Sequence, residues 1–307
     1  MSYVQEIIDC LPKDKTRFQY FRDRYSTLLL PWLVEDGALL SDVKKSPYAP
    51  LLNKQPAKQV VSQFGDGRFN AGAFDMAWAE PHESFLLTLD KWGSKDRSYD
   101  QTSRAGHNLV LQLNMSTEYL AQLRRCVPDI LQHWLDGWGH PTLKERDDGF
   151  FRQTLAWARI DLDLETGEAV IEEIQSDWIR DVRSLKRHLE RWKDDFTAHE
   201  YAAAIRFCDW AIKKLTALWD EAILASAIWF LREEIGIRTV WYHTYDTGCK
   251  LKKIDWSKPP KSVYSTLPKR FCFQQTQEHP EFLMKERGYR RQLKKIDNAQ
   301  WFVHRLI

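Results

Sequence analysis

Residues 154–178 read TLAWARIDLDLETGEAVIEEIQSDW, and their pattern decides the fold. Two apolar runs, Thr154–Leu162 and Glu168–Ser176, flank Glu165–Thr166–Gly167, a turn whose glycine accepts positive φ. That is a β-hairpin. Its second arm carries an unusual load for a strand, with Glu172, Glu173, Gln175 and Asp177 crowded into Ile171–Trp178 (IEEIQSDW). Read with strict alternation, Ile171, Glu173, Gln175 and Asp177 share one face. Glu172, Ile174, Ser176 and Trp178 share the other. The first arm brings Trp157, Arg159 and Asp161 alongside. Polar groups inside a covered sheet cost free energy unless they are paired, so the row serves either structure or chemistry. Its plainest use is an Arg159–Glu ion pair on a solvated face. As chemistry, carboxylates in such a row are candidate general bases or ligands of a divalent cation.

Outward from the hairpin, Ser84–Lys91 and Asn108–Met115 alternate as strands, and Ser116–Thr117 opens a helix. After it comes a helical insert, about 179–217. Leu218–Glu234 is a helix apolar on most sides, to be stopped by Gly236. Thr239–Tyr245 is the next strand, and its exit holds His243 and Thr244. His243 is a candidate proton shuttle, although a histidine at a strand end is more commonly just hydrogen-bonded. Pro259–Phe273 follows with Tyr264 and a Phe271–Phe273 strand. The fold class is therefore α/β (α+β), a mixed, largely antiparallel sheet with helices packed on it. Residues 1–80 read as an N-terminal helical and loop layer: Tyr3–Leu11 and Arg17–Leu30 as helices broken by Pro12 and Pro31, and 41–72 mainly as loop. Residues 81–307 form the main domain, ending in a basic C-terminal tail, 285–307.

The composition narrows the function classes. A net charge of +2 over 307 residues gives no global field for nucleic acid. The local run KERGYRRQLKK at 285–295, followed by Trp301, Phe302 and His304, is the exception, a pattern that can grip phosphates and stack bases. Five scattered cysteines without CxxC spacing fit reduced thiols in a cytoplasm. No secretory signal or membrane-spanning run is read. No P-loop, dinucleotide GxGxxG or nucleophile elbow is present.

Taken in order, residues 154–273 resemble the GNAT-type N-acetyltransferase superfamily. The hairpin Thr154–Ser176, the helix Leu218–Glu234, the strand Thr239–Tyr245 and the tyrosine-to-phenylalanine segment Tyr264–Phe273 carry the resemblance. The segment IEEIQSDW is also similar to uncharacterised domains of large phage and mobile-element proteins. The family's Q/R-x-x-G-x-G/A pyrophosphate turn has no match before Leu218, which implies an altered or lost cofactor site. The resemblance implies acyl or aminoacyl transfer to an amine. Glu173 or Asp177 would be the base and Tyr264 the acid toward the leaving thiolate. Gln175, Trp178, Arg159, His243 and Thr244 would bind substrate. The donor would be acetyl-CoA, another acyl thioester or a charged tRNA. Two other classes stay open. One is a non-catalytic module holding nucleic acid or a partner protein through the basic tail. The other is a metal-dependent enzyme using Glu173, Asp177 and His243.

Overall fold

A computed structural model describes residues 3–10, 16–93, 101–135, 140–143, 152–255 and 258–306. Eight strands form one sheet: β1 (Arg17–Tyr20), β2 (Glu83–Trp92), β3 (Asn108–Asn114), β4 (Thr154–Asp163), β5 (Glu168–Gln175), β6 (Thr239–His243), β7 (Gln274–Thr276) and β8 (Trp301–Arg305). Their order is β1-β2-β3-β4-β5-β6-β8-β7. Every neighbouring pair is antiparallel except β5 and β6, which are parallel. This is the expected α/β class, with a mixed and largely antiparallel sheet.

The principal helices are α1 (Tyr3–Cys10), α2 (Tyr25–Leu33), α3 (Thr117–Cys126), α4 (Asp177–Arg191), α5 (Ala198–Leu215), α6 (Trp219–Trp229), α7 (Tyr245–Lys252) and α8 (Arg287–Leu293). α4 forms because Trp178, Ile179, Val182, Leu185 and Leu189 recur at helical spacing and bury one stripe. Thr197 and Glu200 make a reciprocal capping box at the start of α5. α6 is apolar nearly all round and lies across β3, β4 and β5. Its last turn widens into π geometry over Phe230–Ile235 and stops at Gly236, whose φ of 83° a Cβ would oppose. Helices α2 to α6 cover one face, where Leu109, Leu111, Leu113, Ala158, Ile160, Ile171 and Ile174 join the main core, and α7 and α8 lie on the other. On the other face, Val170, Trp241, Trp301 and Val303 form a smaller cluster with Phe282 and Tyr289. The central strands are therefore buried on both sides.

Several expectations are corrected. Arg17–Tyr20 is an edge strand paired with β2, not helix, because Phe18 and Tyr20 alternate inward and gain a sheet partner. Pro31 does not break the next helix but lies in its last turn, where it forfeits a single hydrogen bond. Residues 41–72 hold the short helices Leu40–Val43, Ala49–Leu52 and Gln55–Val61. Phe271–Phe273 is a buried turn, and the strand begins at Gln274. The segment 285–307 is not a tail, since β8 threads between β6 and β7. Trp301, Phe302 and His304 are buried there and cannot stack on bases, and burial with no polar partner pushes the His304 imidazole down to about 3. Lys285, Arg287, Arg290, Arg291, Lys294 and Lys295 remain exposed, as a solvated basic surface.

Candidate functional site

The hairpin does not alternate strictly. Ile160 pairs with Ile171 while Arg159 pairs with Glu173, so Glu172 is an extra residue on β5, a β-bulge. The bulge resets the faces. Ile171 and Ile174 both enter the main core, while Glu172 and Glu173 bond to groups on the opposite side. The strand also ends at Gln175, three residues before Trp178. Ser176 caps α4, accepting from the Ile179 amide at 3.2 Å, and Asp177 and Trp178 are the first helical residues.

Glu172 is fully buried. It accepts from the Ser103 amide at 2.8 Å and from His243 Nε2 at 3.0 Å, with Lys252 Nζ 3.9 Å away. Lys252 also donates to the Glu172 carbonyl. Burial alone would raise the Glu172 pKa, but the His243 hydrogen bond, the Lys252 charge and the Ser103 amide hold it down at about 2. Burial lowers the His243 pKa against the pull of Glu172, leaving a neutral ring protonated on Nε2. Ser103 Oγ lies 3.1 Å from that same nitrogen. Serine, histidine and carboxylate thus meet, but not as a nucleophilic triad. A triad needs the serine and the acid on opposite ring nitrogens, and here His243 Nδ1 has no partner and all three groups are buried.

Glu173 forms an ion pair with the buried Arg159. Asp177 has the densest contacts. It accepts from Trp157 Nε1 at 2.8 Å, pairs with His140 Nδ1 at 2.8 Å and Arg180 at 2.7 Å, and takes the Gln175 amide. Burial opposes its ionisation, yet the hydrogen bonds from His140 and Trp157 win and its pKa is lowered. The buried Trp178 donates to Gln153 at 3.0 Å. Thr244 precedes α7 and donates to the Gln300 carbonyl at 2.9 Å, fastening the chain entering β8. Tyr264 is buried against Tyr242, and its phenol meets the Ile174 backbone amide. Burial, with Glu173 nearby, raises its pKa well above the usual value, so it stays protonated.

β5 and β6 pair only from Glu168–Thr239 to Ile171–Tyr242. Beyond that point β5 runs on without β6, and a groove of about 730 Å³ lies at its carboxyl end. Ile174, Gln175 and Ser176 form one wall, Trp219 and Lys258 another, and the α4 side chains Arg180, Arg183, Lys186, Arg187 and Glu190 a third. Lys186 is neutralised by Asp209 at 2.6 Å, whereas Arg183 and Arg187 are exposed and, among the described residues, reach the hydroxyls of Thr216 and Ser184 and no carboxylate.

Of the residues singled out in the sequence, Gln175 lines the groove, and Glu173, Asp177 and Tyr264 do not. Arg159 holds Glu173. His243, Thr244 and Trp178 are turned into structural bonds. The proposed metal set does not converge, because Glu173, Asp177 and His243 each have a different partner. No cluster of three or more histidine, cysteine, aspartate or glutamate side chains suited to a metal occurs among the described residues. Sequence reading passed over His140, Lys252 and Ser103, which no local pattern marks. It also passed over Arg180, Arg183 and Arg187, whose three- and four-residue spacing was readable as one helix face. No helix among the described residues is long and apolar enough to cross a membrane. Comparison with protein-family models, curated proteins and solved structures gives no match.

Proposed function

We propose that this protein transfers an acyl group from a phosphorylated thioester carrier, of the coenzyme A kind, to an amine. The groove at the end of β5 carries the reading. Ligands of open α/β sheets collect off the carboxyl ends of parallel strands, and here β5 and β6 are parallel neighbours that part at that end. A volume of about 730 Å³ is in the range of ligand pockets. Its guanidinium wall suits phosphate, which arginine binds through paired hydrogen bonds. The α4 side chains would thereby do the work of the missing glycine-rich turn. On the groove wall Gln175, anchored by Asp177, would orient the acceptor amine.

The test is thermal unfolding with acetyl-CoA, coenzyme A or a short single-stranded RNA, on the wild-type protein and on Arg183→Glu/Arg187→Glu. A ligand at about 100 times its Kd stabilises by about 2.7 kcal/mol, a shift of several degrees. Both thioester and free coenzyme A are expected to raise the midpoint in the wild type and not in the double variant. No shift at millimolar ligand, or an equal shift in the variant, would overturn the reading. A salt-sensitive shift with RNA alone would replace it with nucleic-acid binding.

A further inference from the structure

We propose that His140, held by Asp177, is the proton acceptor of this site. The inference rests on the transferase reading and moves the base from the carboxylates named in the sequence to an imidazole. Neither carboxylate is well placed to accept a proton. Glu173 is neutralised by Arg159, and Asp177 is 1 % exposed with its two oxygens shared among Trp157, His140, Gln175 and Arg180. His140 has the complementary geometry. Its Nδ1 lies 2.8 Å from Asp177 Oδ2, and its side chain is 34 % exposed. Trp157 packs on the ring edge-on with centroids 6.0 Å apart. The Gln175 amide nitrogen lies 3.0 Å from the same Nδ1 but has its own acceptor in Asp177. Both amide and ring therefore turn their hydrogens to one carboxylate, which fixes the imidazole as the Nδ1–H tautomer and leaves its lone pair on Nε2. A carboxylate that orients an imidazole while the second nitrogen works is a recurrent catalytic arrangement.

Gln175 links the pair to the groove, since it lines the groove wall and touches His140. The charged groups facing His140 are Asp177 and Arg180 from α4 and Glu173 from β5, and the Asp177 hydrogen bond, the strongest influence, raises its pKa. In the transfer step the amine lone pair forms the new C–N bond as the thioester C–S bond breaks. The amine N–H proton passes to His140 Nε2. The leaving thiolate takes a proton from solvent in the groove, and His140, which is part-exposed, returns its proton to solvent.

The experiment follows release of coenzyme A thiol from acetyl-CoA with spermidine, lysine methyl ester and a peptide amine, from pH 5.5 to 9. It compares wild type, His140→Gln and Asp177→Asn, with coenzyme A affinity measured on each. Because His140 is half-exposed, its replacement should leave affinity unchanged. The expected result is a loss of about 10²–10⁴-fold in kcat/KM and of the acid limb of the pH profile in His140→Gln. In Asp177→Asn the limb should move to lower pH. Wild-type kcat/KM or an unchanged acid limb in His140→Gln would overturn the assignment and leave the coenzyme A reading intact. So would absence of turnover in a wild-type protein that binds acetyl-CoA. Failure of the wild type to bind coenzyme A would bring down the transferase reading and this assignment with it.

Discussion

Replacing Glu172 by glutamine tests the buried ionic cluster most directly. The carboxyl titrates near 2 in the folded chain and near 4.5 when free of it. At about 1.4 kcal/mol per pH unit, that difference is worth about 3 kcal/mol at neutral pH. Glutamine keeps the shape and can still accept from His243, but it leaves the Lys252 ammonium buried without a counter-charge, which costs about 3–5 kcal/mol when a buried pair is broken. The midpoint of thermal unfolding should fall by roughly 5–10 °C. Adding Lys252→Met should restore much of the loss, since a buried pair replaced by neutral groups is often close to neutral overall. The sign with pH follows from a lowered carboxyl pKa. The Glu172 contribution is complete above pH 4.5 and disappears as pH falls toward 2. Urea unfolding of wild type and Glu172→Gln between pH 7 and pH 3 should therefore show a gap that narrows with acid. A neutral-pH loss under about 1 kcal/mol, or a gap that stays constant with pH, would refute the reasoning.

Three further outcomes are expected. A methyl group at Gly248 would sit 3.0 Å from His243 Cβ, so Gly248→Ala should push α7 from the sheet and cost about 1–3 kcal/mol in urea unfolding. Thr197→Ala, which removes the reciprocal cap of α5, should cost about 1 kcal/mol. Burial pushes the Cys208 thiol up to about 12 and the Cys272 thiol up to about 11, so an aromatic disulfide reagent at pH 8 should label the exposed Cys10 within minutes and those two only after unfolding.

Much of the fold was legible because its signals are local. The 154–176 hairpin announces itself by two alternating runs about a glycine turn, and α6 by its apolar length and Gly236. Arg17–Tyr20 was missed because four residues cannot show which partner they will gain, and β2 supplies it from more than sixty residues away. The strand Ile171–Trp178 was half legible. Its polar load was visible, but the bulge at Glu172 depends on the register of β4, which no property of IEEIQSDW encodes. That single extra residue sent Glu172 to a buried cluster. Likewise the end of β5 turned on Ser176 acting as a helix cap instead of a strand residue. His140 lies far from Asp177 in sequence and close in space, so only the folded chain pairs them.

The place of β8 in the sheet has a consequence in time. β6 is complete at His243, yet its neighbour does not begin until Trp301, and β7, made in between, reaches the sheet only through β8. At roughly 5–20 residues per second of synthesis, several seconds pass in which Val240, Trp241 and Tyr242 present an unpaired edge that is apolar on both faces. During that interval the nascent chain is at its most adhesive, and it is then, more than after release, that a chaperone would find something to hold.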